Sequence, residues 1–193
     1  MKQQNFEKTN WKHCHSHGGV LRQKRAGRKF RPLSTKQTIH LVFKANKEAI
    51  RGGFRAHRRF KLIHLILRKY ALHFWVKIEQ LSIQGDHIHI LIRAPRRSKY
   101  QNFFRVAAGQ IAQRFQKEGL MNLAVTDTSH QALRKDVKLW KHRPFTRVVI
   151  GWAANKIVRD YVQLSEKEAA GEIVYRKERL RGLSVDDWQI LWS

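Results

Sequence analysis

The stretch Gln84-Gly85-Asp86-His87-Ile88-His89-Ile90-Leu91-Ile92-Arg93 leaves its backbone little choice. Isoleucine recurs at every second position, 88, 90 and 92, directly after a glycine, which is the pattern of a β-strand rather than a helix. Successive strand side chains point to opposite faces, so the three isoleucines share one face and His87 and His89 share the other. Two imidazoles two residues apart on a rigid strand can both reach one divalent ion, with Ile88 anchoring the strand behind them. The competing reading is a pair of histidines alternating on a half-exposed strand, in a chain that has 11 histidines.

The segments around this strand supply a fold. Ile39, Leu41 and Phe43 alternate in a first strand, with His40 and Lys44 on its other side. A helix is predicted over Arg55 to His73, with Phe60, Ile63, Ile66, Leu67 and Tyr70 at helical spacing. Trp75 to Ile83 reads as a second strand. There Val76 and Ile78 are out of phase with Leu81 and Ile83, so a bulge is expected near Glu79-Gln80. Gly85-Asp86 would turn it into the histidine strand. Ser98-Lys99-Tyr100-Gln101 has the form of a capping box opening a second helix that Gly119 closes. After a polar connection over 120–136, Val137 to Trp140 and Thr146 to Ile150 read as strands, and a third helix runs from about Trp152 to Leu164. The order strand, helix, strand, strand, helix, strand is that of a ferredoxin-like α+β sandwich. Both long helices would cover one face of the antiparallel sheet, leaving the histidine face open to a substrate and to the third helix.

Charge narrows the partners. Forty Lys and Arg against 14 Asp and Glu leave a formal net charge of +26, an excess that repels itself unless a polyanion neutralises it, and nucleic acid is the usual one. No apolar run is long enough to span a bilayer and no signal-peptide pattern opens the sequence, so no membrane partner and a cytoplasmic location are expected. The lone cysteine, Cys14, excludes an internal disulfide framework. Residues 1–36 read as a basic arm carrying Arg22, Lys24, Arg25, Arg28, Lys29 and Arg31, residues 37–165 as the folded domain, and residues 166–193 as a tail that docks as a helix or lies on a partner. His13-Cys14-His15-Ser16-His17 holds possible zinc ligands, but their adjacency matches no recognised finger spacing.

Ala154, Ile157, Tyr161 and Ser165 form one stripe of the third helix. A tyrosine in such a stripe is commonly core with its hydroxyl at the edge. Here it accompanies a histidine pair, a basic surface and an uncovered sheet face. A phenol can attack a phosphodiester whose charge is neutralised, forming a phosphotyrosine that keeps the bond energy for rejoining. No serine elbow, phosphate-binding glycine loop or paired-cysteine motif competes for that role.

Gly85-Asp86-His87-Ile88-His89 resembles the His-hydrophobic-His motif of single-tyrosine transposases of the HUH superfamily, IS200/IS605-like, and in particular the REP-associated tyrosine transposases. The similarity extends to His17-Gly18-Gly19, Arg25-Ala26-Gly27-Arg28, Arg31-Pro32-Leu33-Ser34 and His40-Leu41-Val42. It continues through Leu139-Trp140, Arg143-Pro144-Phe145-Thr146-Arg147-Val148-Val149 and Asp160-Tyr161-Val162, covering about residues 17–165. The resemblance implies that His87 and His89 bind Mg²⁺ or Mn²⁺. It also implies that Tyr161 cleaves single-stranded DNA beside a hairpin through a covalent 5′-phosphotyrosine. The family's third metal ligand is an Asn or Gln one turn after the tyrosine, a place that Ser165 occupies here. A hydroxyl is the poorer ligand, which leaves open a weakened enzyme or a hairpin DNA or RNA binder on the same scaffold. The arm arginines and lysines, with Arg143 and Arg147, would hold the phosphates, and Trp140 or Phe145 would stack on unpaired bases. Related transposases work as dimers with the tyrosine helix acting across subunits, and REP-associated ones as monomers, so both states stay open.

Overall fold

A computed structural model describes residues 15–22, 30–50, 52–122 and 138–193. The elements, in chain order, are β1 (Ser16–His17), β2 (Thr38–Lys44), α1 (His57–His73), β3 (Lys77–Ile83), β4 (His87–Arg93), α2 (Arg97–Lys117), β5 (Phe145–Val149), α3 (Trp152–Ala170) and α4 (Val185–Trp192). The strands form one antiparallel sheet in the order β1-β5-β2-β4-β3. This is the expected α+β architecture, with one short strand added at an edge.

Alternation decides which face is which. Ile39, Leu41 and Phe43 of β2 and Ile88, Ile90 and Ile92 of β4 are fully buried beneath α1 and α2, beside Ile63, Leu67, Phe103, Ala107, Ile111 and Phe115. The opposite face carries His87, His89, His40, Val42, Lys44, Phe145 and Arg147, placed together by the register Lys44↔His87, Val42↔His89 and His40↔Arg147. The predicted bulge is present, as a register shift between Ile78 and Gln80. It turns the last residues of edge strand β3 back into phase with the core.

Several local expectations change. Ser98 does not cap α2: the N-cap is Arg96, without a side-chain bond, because the chain enters the helix two residues earlier than the capping box required. The strand expected over 137–140 reduces to an isolated Ala45↔Trp140 bridge, residues 123–137 lying outside the described residues. Trp75 stands outside β3 with φ +57°, exposed. The arm is partly built into the fold, since Ser16 and His17 pair with Arg147 and Thr146 of β5. Gly18 permits that docking: its φ is +84°, and a Cβ there would lie 2.1 Å from the Pro144 carbonyl oxygen. The cysteine and His13 of the histidine-rich stretch lie outside the described residues.

The segment after α3 is folded onto it. Ile173 and Leu191 bury against Leu164 in a second small core. A capping box, Ser184 with Asp187, starts α4. No helix among the described residues is long and apolar enough to cross a membrane.

Candidate active site on the open sheet face

Helix α3 lies across the open face, and bonds to the β3 edge and to Arg55 hold it there. Glu166 accepts the Ile83 backbone N–H at 3.0 Å and pairs with Arg55 at 2.5 Å, while Arg55 also donates to the Ile83 carbonyl. Gln163 accepts from Gln80, and Gln84 donates to the Ser165 carbonyl. These bonds satisfy polar groups along an edge strand that would otherwise be open to pairing. They also fix the rotation of α3. Gln163 and Glu166 face β3, as a regular helix requires, and Tyr161 faces the histidines.

The Tyr161 ring stands edge-on to His89, with centroids 5.7 Å apart, and His89 stands edge-on to His87 at 4.7 Å. The three side chains singled out from the sequence therefore meet within a single chain. Each imidazole has its Nδ1 occupied. Asp86 Oδ1 lies 2.6 Å from His87 Nδ1, and because a carboxylate only accepts, His87 carries a proton on Nδ1, so that in the neutral ring Nε2 is the atom free to bind an ion. His89 Nδ1 lies 3.0 Å from His40 Nε2, so the two rings share one proton in that bond. His40 reaches it as a diagonal cross-strand neighbour, since Leu91 is its direct partner.

Burial keeps these two rings neutral. His40 is held down to about 4, first by burial and then by the Arg147 charge. His89 is lowered further, by burial and then by His40, His87 and Arg179. Burial opposes ionisation of Asp86, but its hydrogen bond to His87 and the charges of His87, Lys44 and Lys47 outweigh this and hold its carboxyl below the ordinary value. Neutral imidazole is the form that binds metals. The two Nε2 atoms would offer an ion a pair of nitrogen donors; among the described residues, no third His, Cys, Asp or Glu completes a set. Such a pair suits a divalent ion whose remaining ligands are oxygens from elsewhere, phosphate and water included.

The lowered histidine pKa values carry a consequence for stability. Unfolded, both rings take up protons near the ordinary 6.5, whereas folded they resist until far lower pH. Stability is thus fully present above about pH 7 and falls with pH below 6.5, by about 1 kcal/mol per ring per pH unit. In chelator, the melting temperature is expected to drop between pH 6.5 and 5, above the range where carboxylates titrate. His40→Gln should flatten that slope, and a pH-independent melting temperature in the unsubstituted protein would contradict the assignment.

Ser165 is buried, and its hydroxyl is engaged: it donates to the Tyr161 carbonyl at 2.9 Å and accepts from Arg179 Nη2 at 3.1 Å. One lone pair remains for any ion. Beside Tyr161 opens a cleft of about 500 Å³, lined by His40, Arg147, Ile157, Arg179 and Arg181 among others. Arg143 and Arg147 are exposed, as a phosphate-binding role requires. Arg31 is placed otherwise: its guanidinium donates to the Pro144 carbonyl and Thr146 Oγ1 and lies over Phe104, tying the arm to β5. Lys24, Arg25, Arg28 and Lys29 lie outside the described residues, as does the side chain of Arg22. Trp140 is half-buried against the core: its indole N–H donates to the Ala108 carbonyl and its ring packs on Phe43 and Phe54. Phe145 lines a smaller pocket with Gly19, Val42 and Lys44, where a base could stack.

Residues 34–164 match the family described as "Transposase IS200 like". Among solved structures, one of a REP-associated tyrosine transposase bound to a REP hairpin shares the fold, with a TM-score of 0.56 and 13% identity over 84% of this chain and 91% of that one. A candidate transposase from Deinococcus radiodurans R1 scores 0.42 at 15% identity, over 72% of this chain and 98% of that one. No curated protein matched.

Proposed function

Because the chain belongs to the IS200-like transposase family, we propose that it cleaves and rejoins single-stranded DNA beside a hairpin, with Tyr161 as nucleophile and His87 and His89 holding Mg²⁺ or Mn²⁺. The observation that carries this reading is the Tyr161 ring resting on His89, itself against His87, beside a cleft with arginine walls. The Tyr161 oxygen attacks phosphorus, the bond from phosphorus to the 3′ oxygen breaks, and the phenolic proton passes to solvent while the leaving oxygen gains one. The product is a 5′-phosphotyrosine and a free 3′-hydroxyl. Attack by a 3′-hydroxyl on that ester reverses the step, rejoins DNA and frees Tyr161. A bound divalent ion would neutralise charge on the scissile phosphate. The chain's own residues hold the phenol in place, keep His40 and His89 neutral and set the guanidinium groups of Arg147 and Arg181 along the cleft to meet phosphate. Support for a hairpin substrate comes from the neighbour of like fold, which was solved with one. The DNA would be met in the cytoplasm.

The test is a hairpin oligonucleotide with a single-stranded flank, incubated with Mg²⁺, Mn²⁺ or chelator and resolved under denaturing conditions. A covalent adduct is expected with either ion and none with chelator. Mn²⁺ should act at lower concentration, since Mg²⁺ gives up water reluctantly and prefers oxygen ligands. Equal adduct in chelator would remove the metal from the reading. One observation favours a second reading, hairpin DNA or RNA binding without cleavage: the Ser165 hydroxyl is already engaged. Tight hairpin binding without adduct at any metal concentration would select it.

A further inference from the structure

Arg179 has φ +58°, a left-handed conformation uncommon for a residue with a Cβ, and its surroundings hold it there. Its Nη1 donates to both oxygens of Glu168, at 2.8 and 2.6 Å, and its Nη2 donates to Ser165 Oγ at 3.1 Å. The guanidinium carbon lies 5.0 Å from the Tyr161 ring centroid and 5.2 Å from that of Tyr175. Tyr161, Ser165 and Glu168 are spaced i, i+4, i+7 and so share one stripe of α3. Arg179 comes from the 3₁₀ turn Arg179–Gly182, anchored by the small core around Leu164, Ile173 and Leu191.

We infer that Arg179 is a positioning residue for Tyr161, a clamp by which the C-terminal segment holds the phenol ring over His89. The clamp's effect on rate rests on Tyr161 being the nucleophile; its hold on the ring does not. It gives Ser165 a role of its own: the hydroxyl joins the backbone of the tyrosine to the guanidinium, in the place where the resembling family carries a metal-binding amide. The planar fork matters, because one flat group both bonds to two residues of the stripe and lies against the ring; a lysine ammonium cannot do both. A reacting group displaced by about 1 Å can lose about a hundredfold in rate, so the clamp acts on the chemical step rather than on DNA binding.

Arg179→Ala and Arg179→Lys in the full chain test this, with single-turnover adduct formation at saturating hairpin, hairpin Kd, and NMR of ¹³C-labelled tyrosine rings. Both variants should form adduct about 10–100-fold more slowly at unchanged Kd, and the Tyr161 resonance, assigned by its absence in Tyr161→Phe, should shift and broaden. A wild-type or faster rate in Arg179→Ala would overturn the inference, as would full rescue by lysine. Should Arg179→Ala melt the C-terminal segment, Glu168→Gln leaves the arginine in place: slower adduct at unchanged Kd supports the clamp, and a wild-type rate overturns it. If the unsubstituted protein forms no adduct, the nucleophile reading falls by itself. The ring resonance then decides the clamp, and an unmoved Tyr161 signal in Arg179→Ala rejects it.

Discussion

Tyr161→Phe should abolish covalent capture of a hairpin oligonucleotide while leaving its binding intact. The loss should be on the order of a thousandfold or more, the scale on which removing a covalent nucleophile acts elsewhere. Phenylalanine keeps the ring that stands 5.7 Å from His89 and 5.0 Å from the Arg179 guanidinium, so packing at the site is preserved and only the attacking oxygen is gone. The informative control is Tyr175→Phe. Tyr175 is exposed and lies on the same arginine, which makes it the one nearby phenol able to imitate the result. Its removal should leave the adduct unchanged. Denaturing gels of both variants, with fluorescence anisotropy for binding, give the comparison.

The second large effect is expected at the histidine pair. His87→Ala should lower adduct formation by about a hundredfold or more, since even partners of metal ligands, one step removed, cost 10–100-fold when lost. His87 is the cleaner position, because its side chain is 32% exposed and its loss leaves the core intact. His89 is buried, stacks on His40 and touches Tyr161, so His89→Ala should remove metal response and also destabilise the fold through the cavity it leaves. Calorimetric titration with Mn²⁺ in the absence of DNA separates these effects. Both variants should lose the binding isotherm, and only His89→Ala should also melt earlier. An unaltered isotherm in His87→Ala would place the ion elsewhere.

Much of this arrangement was legible in the residue order, because it depends on local periodicity. Alternation at Ile88, Ile90 and Ile92 gave the strand and the face of its histidines, and the phase slip between Ile78 and Leu81 gave the bulge. The stripe Ala154, Ile157, Tyr161 and Ser165 gave the face of the tyrosine helix. What escaped depends on contacts between distant segments. The bond between His40 and His89 needs the register of β2 against β4, which alternation alone leaves unspecified. Ser16 and His17 form too short a strand to leave a pattern, and their pairing with β5 is a matter of Gly18 fitting against Pro144. The capping box at Ser98 was a real local signal that lost to packing, with Phe103 and Phe104 buried and the helix beginning at Arg97. Arg179 left no trace at all: one of three arginines in a tail whose acids and bases nearly balance, it is singled out only once Glu168, Ser165 and Tyr161 are brought together in space.

Peptide mapping of the protein–DNA adduct tests the central claim most directly. Digesting the adduct formed with Mn²⁺ and sequencing the modified peptide by mass spectrometry should place a 5′-linked nucleotide on Tyr161. A nucleotide on Tyr175 or any other residue, or a cleaved hairpin with no protein attached, would contradict it.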